Sequence, residues 1–204
     1  MPERPQRIGI LGGTFDPPHA GHLAATVACR DALDLDRLLL VVANDPWQKA
    51  PRRRVSAAED RLALARAAAD GVPGIEVSRT EIDRGGPSYT VETVEALRRE
   101  AEEAGQPAPD VFLIVGADLV ESLPTWERVD DLRRLVTLVI VSRPRSPRRP
   151  DPDGWRVAHV EGVDVDVSSS DVRALLGAGR PVDRLVPEAV IRCIRRRDMY
   201  AVGR

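Results

Sequence analysis

Apolar positions along this chain follow two rhythms, short continuous runs and longer stretches with helical spacing. Residues 7–11, holding Ile8-Gly9-Ile10-Leu11, predict a strand. Residues 21–33, rich in Ala and Leu, predict a helix that is apolar on most faces and therefore buried. Leu38 to Ala43 is a continuous apolar run, the pattern of a strand covered on both faces of a parallel sheet. Residues 57–69 predict a helix opened by Ser56, with Glu59 placed to complete a capping box. A short strand at Ile75-Glu76-Val77 precedes a helix over residues 90–104 that ends at Gly105. Val111 to Val115 predicts a second buried strand, Leu132 to Leu135 the close of a short helix, and Val136 to Val141 a further strand. One or two short strands fall between Val157 and Val167. Residues 170–177 and 187–197 predict terminal helices, the second with Pro187 in its first turn.

Strands alternating with helices imply βαβ units. The expected class is α/β: a Rossmann-like, doubly wound, mostly parallel sheet with helices on both faces and a small C-terminal helical part. The whole of residues 1–204 reads as one domain, with the late helices from about residue 168. The stretches from Asn44 to Val55 and from Pro144 to Gly154 are rich in proline and arginine and predict loops. In sheets of this kind ligands bind beyond the carboxyl ends of the strands, so the chemistry is expected there.

Composition removes several alternatives. A chain of 204 residues with 43% hydrophobic residues can bury a substantial core. Charged residues make up 30%, yet the formal net charge is -2, which argues against a general nucleic-acid binder. Cys29 and Cys193 lie far apart and imply neither a disulfide framework nor a metal site. No apolar run reaches membrane-spanning length, and the first residues lack the apolar core of a signal peptide. The expected setting is the cytoplasm, with no membrane partner.

The densest candidate chemistry follows the first strand: Gly12-Gly13-Thr14-Phe15-Asp16-Pro17-Pro18-His19-Ala20-Gly21-His22. A strand, a glycine turn and a helix start gather backbone N–H groups into an anion site. Glycines let a ligand approach the backbone, and His19 and His22 can donate to phosphate oxygens. The spacing is neither the Gly-x-Gly-x-x-Gly fingerprint nor a Walker A loop. His-x-x-His also reads as a metal pair, but His159, the only other histidine, is distant in sequence, and no protein metal site is expected. A second cluster, Ser168-Ser169-Ser170-Asp171-Val172-Arg173, ends a strand and starts a helix. There Ser170 and Arg173 share a face and could grip phosphate.

These two motifs resemble the signatures of the nucleotidylyltransferase superfamily, His-x-Gly-His and Ile-Ser-Ser-Thr-x-x-Arg. Three middle segments narrow the resemblance to bacterial nicotinate-mononucleotide adenylyltransferases: Asp83 to Thr93 with Pro87-Ser88-Tyr89-Thr90, Gly116-Ala117-Asp118, and Leu123 to Arg128 with Trp126. The resemblance covers nearly the whole chain. It implies transfer of the adenylyl group of ATP to nicotinate mononucleotide, giving deamido-NAD and pyrophosphate, with Mg²⁺ accompanying ATP and no covalent enzyme intermediate.

The same resemblance implies the site. His19, His22 and Arg173 would be catalytic. Gly12, Gly13, Thr14, Phe15, Asp118, Ser169 and Ser170 would join them in binding ATP, with Asp118 on a ribose hydroxyl. Thr14, Lys49, Tyr89, Thr90, Trp126 and Glu127 would bind the mononucleotide, with Trp126 stacked on the pyridine ring. Trp126 also reads as a core residue, Asp118 as a helix cap and Thr90 as an N-cap. The sequence departs from the pattern at Ser170, where the family often has Thr, and at Asp45-Pro46-Trp47-Gln48-Lys49, where Pro-Pro-His-Lys is common. Two alternatives stand beside this reading: another superfamily member, such as a pantetheine-phosphate adenylyltransferase or a cytidylyltransferase, and a non-catalytic nucleotide-sensing module. A homo-oligomer is compatible with all of them.

Overall fold

The computed structural model describes residues 4–46, 55–142, 150–161, 165 and 167–200. Six parallel strands, β1 (Arg7–Gly13), β2 (Arg37–Val42), β3 (Ile75–Ser78), β4 (Asp110–Gly116), β5 (Val136–Ser142) and β6 (Val157–Glu161), lie in the order β3-β2-β1-β4-β5-β6. The helices are α1 (Ala20–Ala32), α2 (Ala58–Ala69), α3 (Thr80–Arg84), α4 (Thr90–Glu103), α5 (Val129–Leu135), α6 (Ser169–Gly177) and α7 (Glu188–Arg196). The predicted α/β class and its doubly wound sheet are therefore realised.

The central strands are continuous apolar runs because both of their faces are covered. On β4, Val111, Leu113 and Val115 point to one core with Val91, Val94 and Leu97 of α4 and Leu132 of α5. Phe112 and Ile114 point the other way, to Cys29 of α1 and Leu62 and Ala65 of α2. Each fully buried aliphatic side chain contributes roughly 1.5–3 kcal/mol. A third cluster joins Leu64 and Ala68 of α2 to Val190, Ile191 and Ile194 of α7. It fastens the C-terminal helices to the sheet layer and presents the arginines of α7 to solvent.

Several local expectations change. Within α1 only Thr26 and Cys29 are fully buried; Ala-rich faces cover the sheet with little side-chain bulk and leave the rest half-exposed. The capping box at Ser56 and Glu59 does not form. Ala57 is the N-cap of α2, and Glu59 pairs instead with Arg79 at 3.1 Å. Tyr89, not Thr90, is the N-cap of α4, so Thr90 is the first helical residue. Pro187 occupies the N-cap of α7. Helix α3 and a 3₁₀ turn over Val120–Thr125 have no counterpart in the apolar pattern; both are too short to show a period. Between Val157 and Val167, the described residues hold one strand, β6.

Strand β1 pairs with β2 on one side and β4 on the other. The chain first builds outward through β2 and β3, then crosses back to β4. The carboxyl end of β1 is thus the topological switch point, where adjacent loops part and leave a crevice.

Candidate active site

Two groups of side chains meet at that crevice. The first is the turn from β1 into α1. His19 is the N-cap of α1 in extended backbone conformation, and it is buried. Its backbone N–H donates to Nδ1 of His22 at 3.2 Å. That bond fixes the tautomer: a neutral His22 carries its proton on Nε2. The two imidazole rings lie face to face, with centroids 3.7 Å apart and planes 30° from parallel. Gly21 permits this arrangement, because a Cβ there would stand 3.1 Å from Nδ1 of His19 and 3.2 Å from its Cε1. The Phe15 ring meets His22 edge-on at 5.2 Å and is itself in the core. Only the backbone of Phe15 is therefore available to a ligand.

Burial pushes the His19 pKa down to about 4, with the Asp171 carboxylate pulling weakly the other way. His19 is accordingly neutral at pH 7. Its Nδ1 is buried and finds no hydrogen-bond partner among the described residues. An imidazole so placed keeps its basicity low without an ion pair.

Helix α6 brings the late motif onto the same turn. Ser168 caps it: its Oγ accepts from the Asp171 N–H at 3.2 Å, and its own N–H donates to the Asp171 carboxylate at 3.0 Å. The Ser168 hydroxyl, which donates to the Asp171 carboxylate at 2.5 Å, and then the Ser168 N–H hold that carboxyl below the usual range. Ser169 Oγ donates to the Pro17 carbonyl at 2.9 Å. Arg173 donates through Nη1 to the Asp16 carbonyl at 2.6 Å and through Nη2 to Ser170 Oγ at 3.0 Å. The predicted Ser170–Arg173 face exists, and it rests on the first motif although the two are over 150 residues apart in sequence.

The second group forms a pocket on the other side of Gly12, Gly13 and Thr14. Tyr89, Thr90, Trp126 and Glu127 line it, together with Glu81 and Ser88. Trp126 is half-buried against the core and donates from Nε1 to Ser122 Oγ at 3.3 Å. It packs on the core, as the core reading expects, and it also lines the pocket. Asp118 is exposed in the turn after β4, outside the pocket lining. It caps no helix; its carboxylate folds back over Gly116, where a Cβ would come within 2.5 Å of Oδ1. Lys49 lies outside the described residues, as do the neighbouring departures at Trp47 and Gln48.

Other residues hold the site without being foreshadowed by the sequence. Arg61 of α2 is almost wholly buried and donates to four backbone carbonyls: Thr14 at 3.1 Å, Ala43 at 2.6 Å, Asn44 at 2.9 Å and Ser56 at 2.8 Å. It staples the β1 turn to the end of β2. Glu81, also buried, accepts from Thr93 Oγ1 at 2.9 Å, and desolvation raises its pKa. The sole hint of Arg61 is an arginine inside an Ala/Leu-rich helical stretch.

A strand, a glycine turn carrying paired histidines at a helix start, and a returning serine–arginine helix define a nucleotidyl-transfer class of site. The model of the cytidylyltransferase-like family matches residues 10–175, and the chain belongs to that family. Its similarity is more particular than that. It is 40% identical over 197 residues to the probable nicotinate-nucleotide adenylyltransferase of Corynebacterium kroppenstedtii, covering 95% of this chain and 90% of the relative. The corresponding protein of Acidothermus cellulolyticus is 37% identical over 204 residues, covering 98% and 97%. Among solved structures, the Plasmodium falciparum nicotinic acid mononucleotide adenylyltransferase complexed with NaAD shares the fold. It has a TM-score of 0.72 at 13% identity, over 96% of this chain and 97% of that one.

Proposed function

We propose that this chain transfers the adenylyl group of ATP to nicotinate mononucleotide, forming deamido-NAD and pyrophosphate in NAD biosynthesis. The observation that carries the reading is the meeting of a phosphate-type turn and a ring-sized pocket at Gly12–Thr14, the switch point of the sheet. The reading takes residues 1–204 as one nucleotidylyltransferase domain.

Phosphoryl-type transfer needs positioning and charge stabilisation more than a protein nucleophile. The mononucleotide 5′-phosphate oxygen attacks the α-phosphorus of ATP in line. The bond from the α-phosphorus to the bridging oxygen breaks, and pyrophosphate departs with that electron pair. His19 and His22 donate to phosphate oxygens where charge develops. Arg173 and the Ser169–Ser170 helix start hold the phosphates, and Gly12 and Gly13 let them approach the backbone. Asp118 accepts from the ribose of ATP. In the pocket, Trp126 stacks on the pyridine ring, and Thr14, Tyr89, Thr90 and Glu127 surround the mononucleotide; Lys49 is assigned there by resemblance.

Among the described residues no group of three or more His, Cys, Asp or Glu side chains is arranged to hold a metal ion. The donors at the turn are imidazoles, hydroxyls and a guanidinium, suited to phosphate oxygens. Mg²⁺ bound with ATP would neutralise phosphate charge beside these donors. The reading needs no nucleic-acid or membrane partner and places the enzyme in the cytoplasm, as a monomer or homo-oligomer; no helix among the described residues is long and apolar enough to cross a membrane.

An acceptor panel tests this. Pyrophosphate release from ATP and Mg²⁺ is expected with nicotinate mononucleotide and not with phosphopantetheine; CTP with cytidylyltransferase acceptors should give none. Release only with another acceptor would move the chain elsewhere in the family. Nucleotide binding with no turnover on any acceptor would make it a sensing module.

A further inference from the structure

Asp16 stands in the middle of the glycine–histidine turn and is 1% exposed. Its carbonyl carries the Arg173 guanidinium at 2.6 Å. Its carboxylate accepts from the Ser56 N–H at 3.3 Å and, more closely, from the Tyr200 hydroxyl at 2.6 Å. Tyr200 reaches the turn from the far end of the chain. Met199 and Tyr200 pack on the α2–α7 cluster, and Arg197 is ion-paired with Asp60 of α2 at 2.6 Å. The Tyr200 backbone lies in the left-handed region at φ 61, uncommon for a bulky residue. The hydroxyl is half-buried, and burial beside the Asp16 carboxylate raises its pKa, so it remains a proton donor across the working range.

We propose that Tyr200 is a positioning residue for adenylyl transfer: by holding the Asp16 carboxylate it fixes the peptide on which Arg173 rests, so the C-terminal segment completes the phosphate half of the site. The proposal rests on the adenylyl-transfer reading only for its choice of assay. Its physical content is that a misplaced phosphate grip loses rate steeply, since small displacements of positioning groups cost up to about 10²-fold. Met199, the neighbour that shares the apolar packing, donates no side-chain hydrogen bond to the turn and supplies the control.

The test compares Tyr200→Phe, Met199→Ala, Arg173→Ala and the Tyr200→Phe/Arg173→Ala double variant. In Tyr200→Phe, kcat should fall about tenfold and ATP affinity by direct titration about threefold, while KM for the mononucleotide stays within about twofold. Met199→Ala should keep kcat within about twofold, well below its melting temperature. In the Arg173→Ala background, Tyr200→Phe should change kcat and ATP affinity by less than about twofold, because its route to the substrate is gone. Undiminished kcat in Tyr200→Phe, an equal loss in Met199→Ala, or a full additional loss in the double variant would each overturn the proposal. So would failure of Tyr200→Phe to fold, since the hydroxyl would then serve the fold. A wild-type chain inactive on nicotinate mononucleotide would fault the substrate reading, while the ATP titrations would still decide the role of Tyr200.

Discussion

His19 is a buried ring at the start of α1 to which the proposed reading gives a catalytic role, and its environment makes two outcomes measurable. Removing a preorganised donor to developing charge costs on the order of 10²–10³ in rate. His19→Ala should therefore lower kcat by about that factor and leave the ATP dissociation constant within a few-fold. Wild-type turnover of the variant would remove His19 from the mechanism. The second outcome concerns stability. Burial holds the folded pKa of His19 at about 4, below its value of 6.5 in the unfolded chain. Between those values the unfolded chain binds the extra proton, so acid favours unfolding and stability rises with pH. On lowering the pH from 7.5 to 5, this group alone should remove about 2 kcal/mol. Urea melts at the two pH values should show wild type losing about that much more than His19→Ala. Equal losses would mean that the ring is not buried in its neutral form.

At the scale of elements, the strands were the most legible part of the sequence, because burial on both faces leaves only apolar residues. The helix starts were less so. Ser56 and Glu59 have the letters of a capping box, but the chain enters α2 one residue later and Glu59 turns to Arg79. Motif residues were legible because they cluster by chemistry; Arg61 was not, because its partners are carbonyls from four separate places in the chain. Arg61→Ala would strand buried carbonyls, each worth about 1–3 kcal/mol if unpaired. A loss of roughly 3 kcal/mol or more in chemical denaturation is expected; a change under about 1 kcal/mol would show that the turn holds without it. The 3₁₀ turn makes a different prediction. It presents Trp126 to the pocket across from Thr14, away from the histidine–arginine group. Trp126→Ala should raise KM for the mononucleotide about tenfold or more and leave KM for ATP within about twofold. Equal effects on both substrates would make the indole a core residue alone.

On the scale of the molecule, one sheet end carries two helix starts. On the proposed reading they face different parts of the reaction, and the β1–α1 turn, held by α6 and Tyr200, meets the phosphates. The start of α4 faces the ring pocket through Tyr89 and Thr90, with the Arg84 guanidinium within 3.5 Å of the Tyr89 carbonyl. The first N–H groups of a helix have no partners within it, and the helix dipole favours negative charge there. A carboxylate on the pyridine ring is therefore better matched to that end of the pocket than a carboxamide, whose NH₂ would face other donors. Glu81 opposes this preference if ionised; burial raises its carboxyl above the ordinary range, while hydrogen bonds from the Ser88 and Thr93 hydroxyls pull the other way. Hydrogen bonds to a charged group are worth about 1.5–3 kcal/mol against about 1 for neutral ones. The acid mononucleotide should thus exceed the amide in kcat/KM by about 10- to 100-fold, measured with ATP and Mg²⁺ in excess. Glu81→Gln should leave that ratio within about threefold if the carboxyl is neutral in the complex. A ratio near one in the wild-type chain would mean that the α4 start does not read the ring substituent, and the specificity would have to come from Trp126 and the shape of the pocket alone.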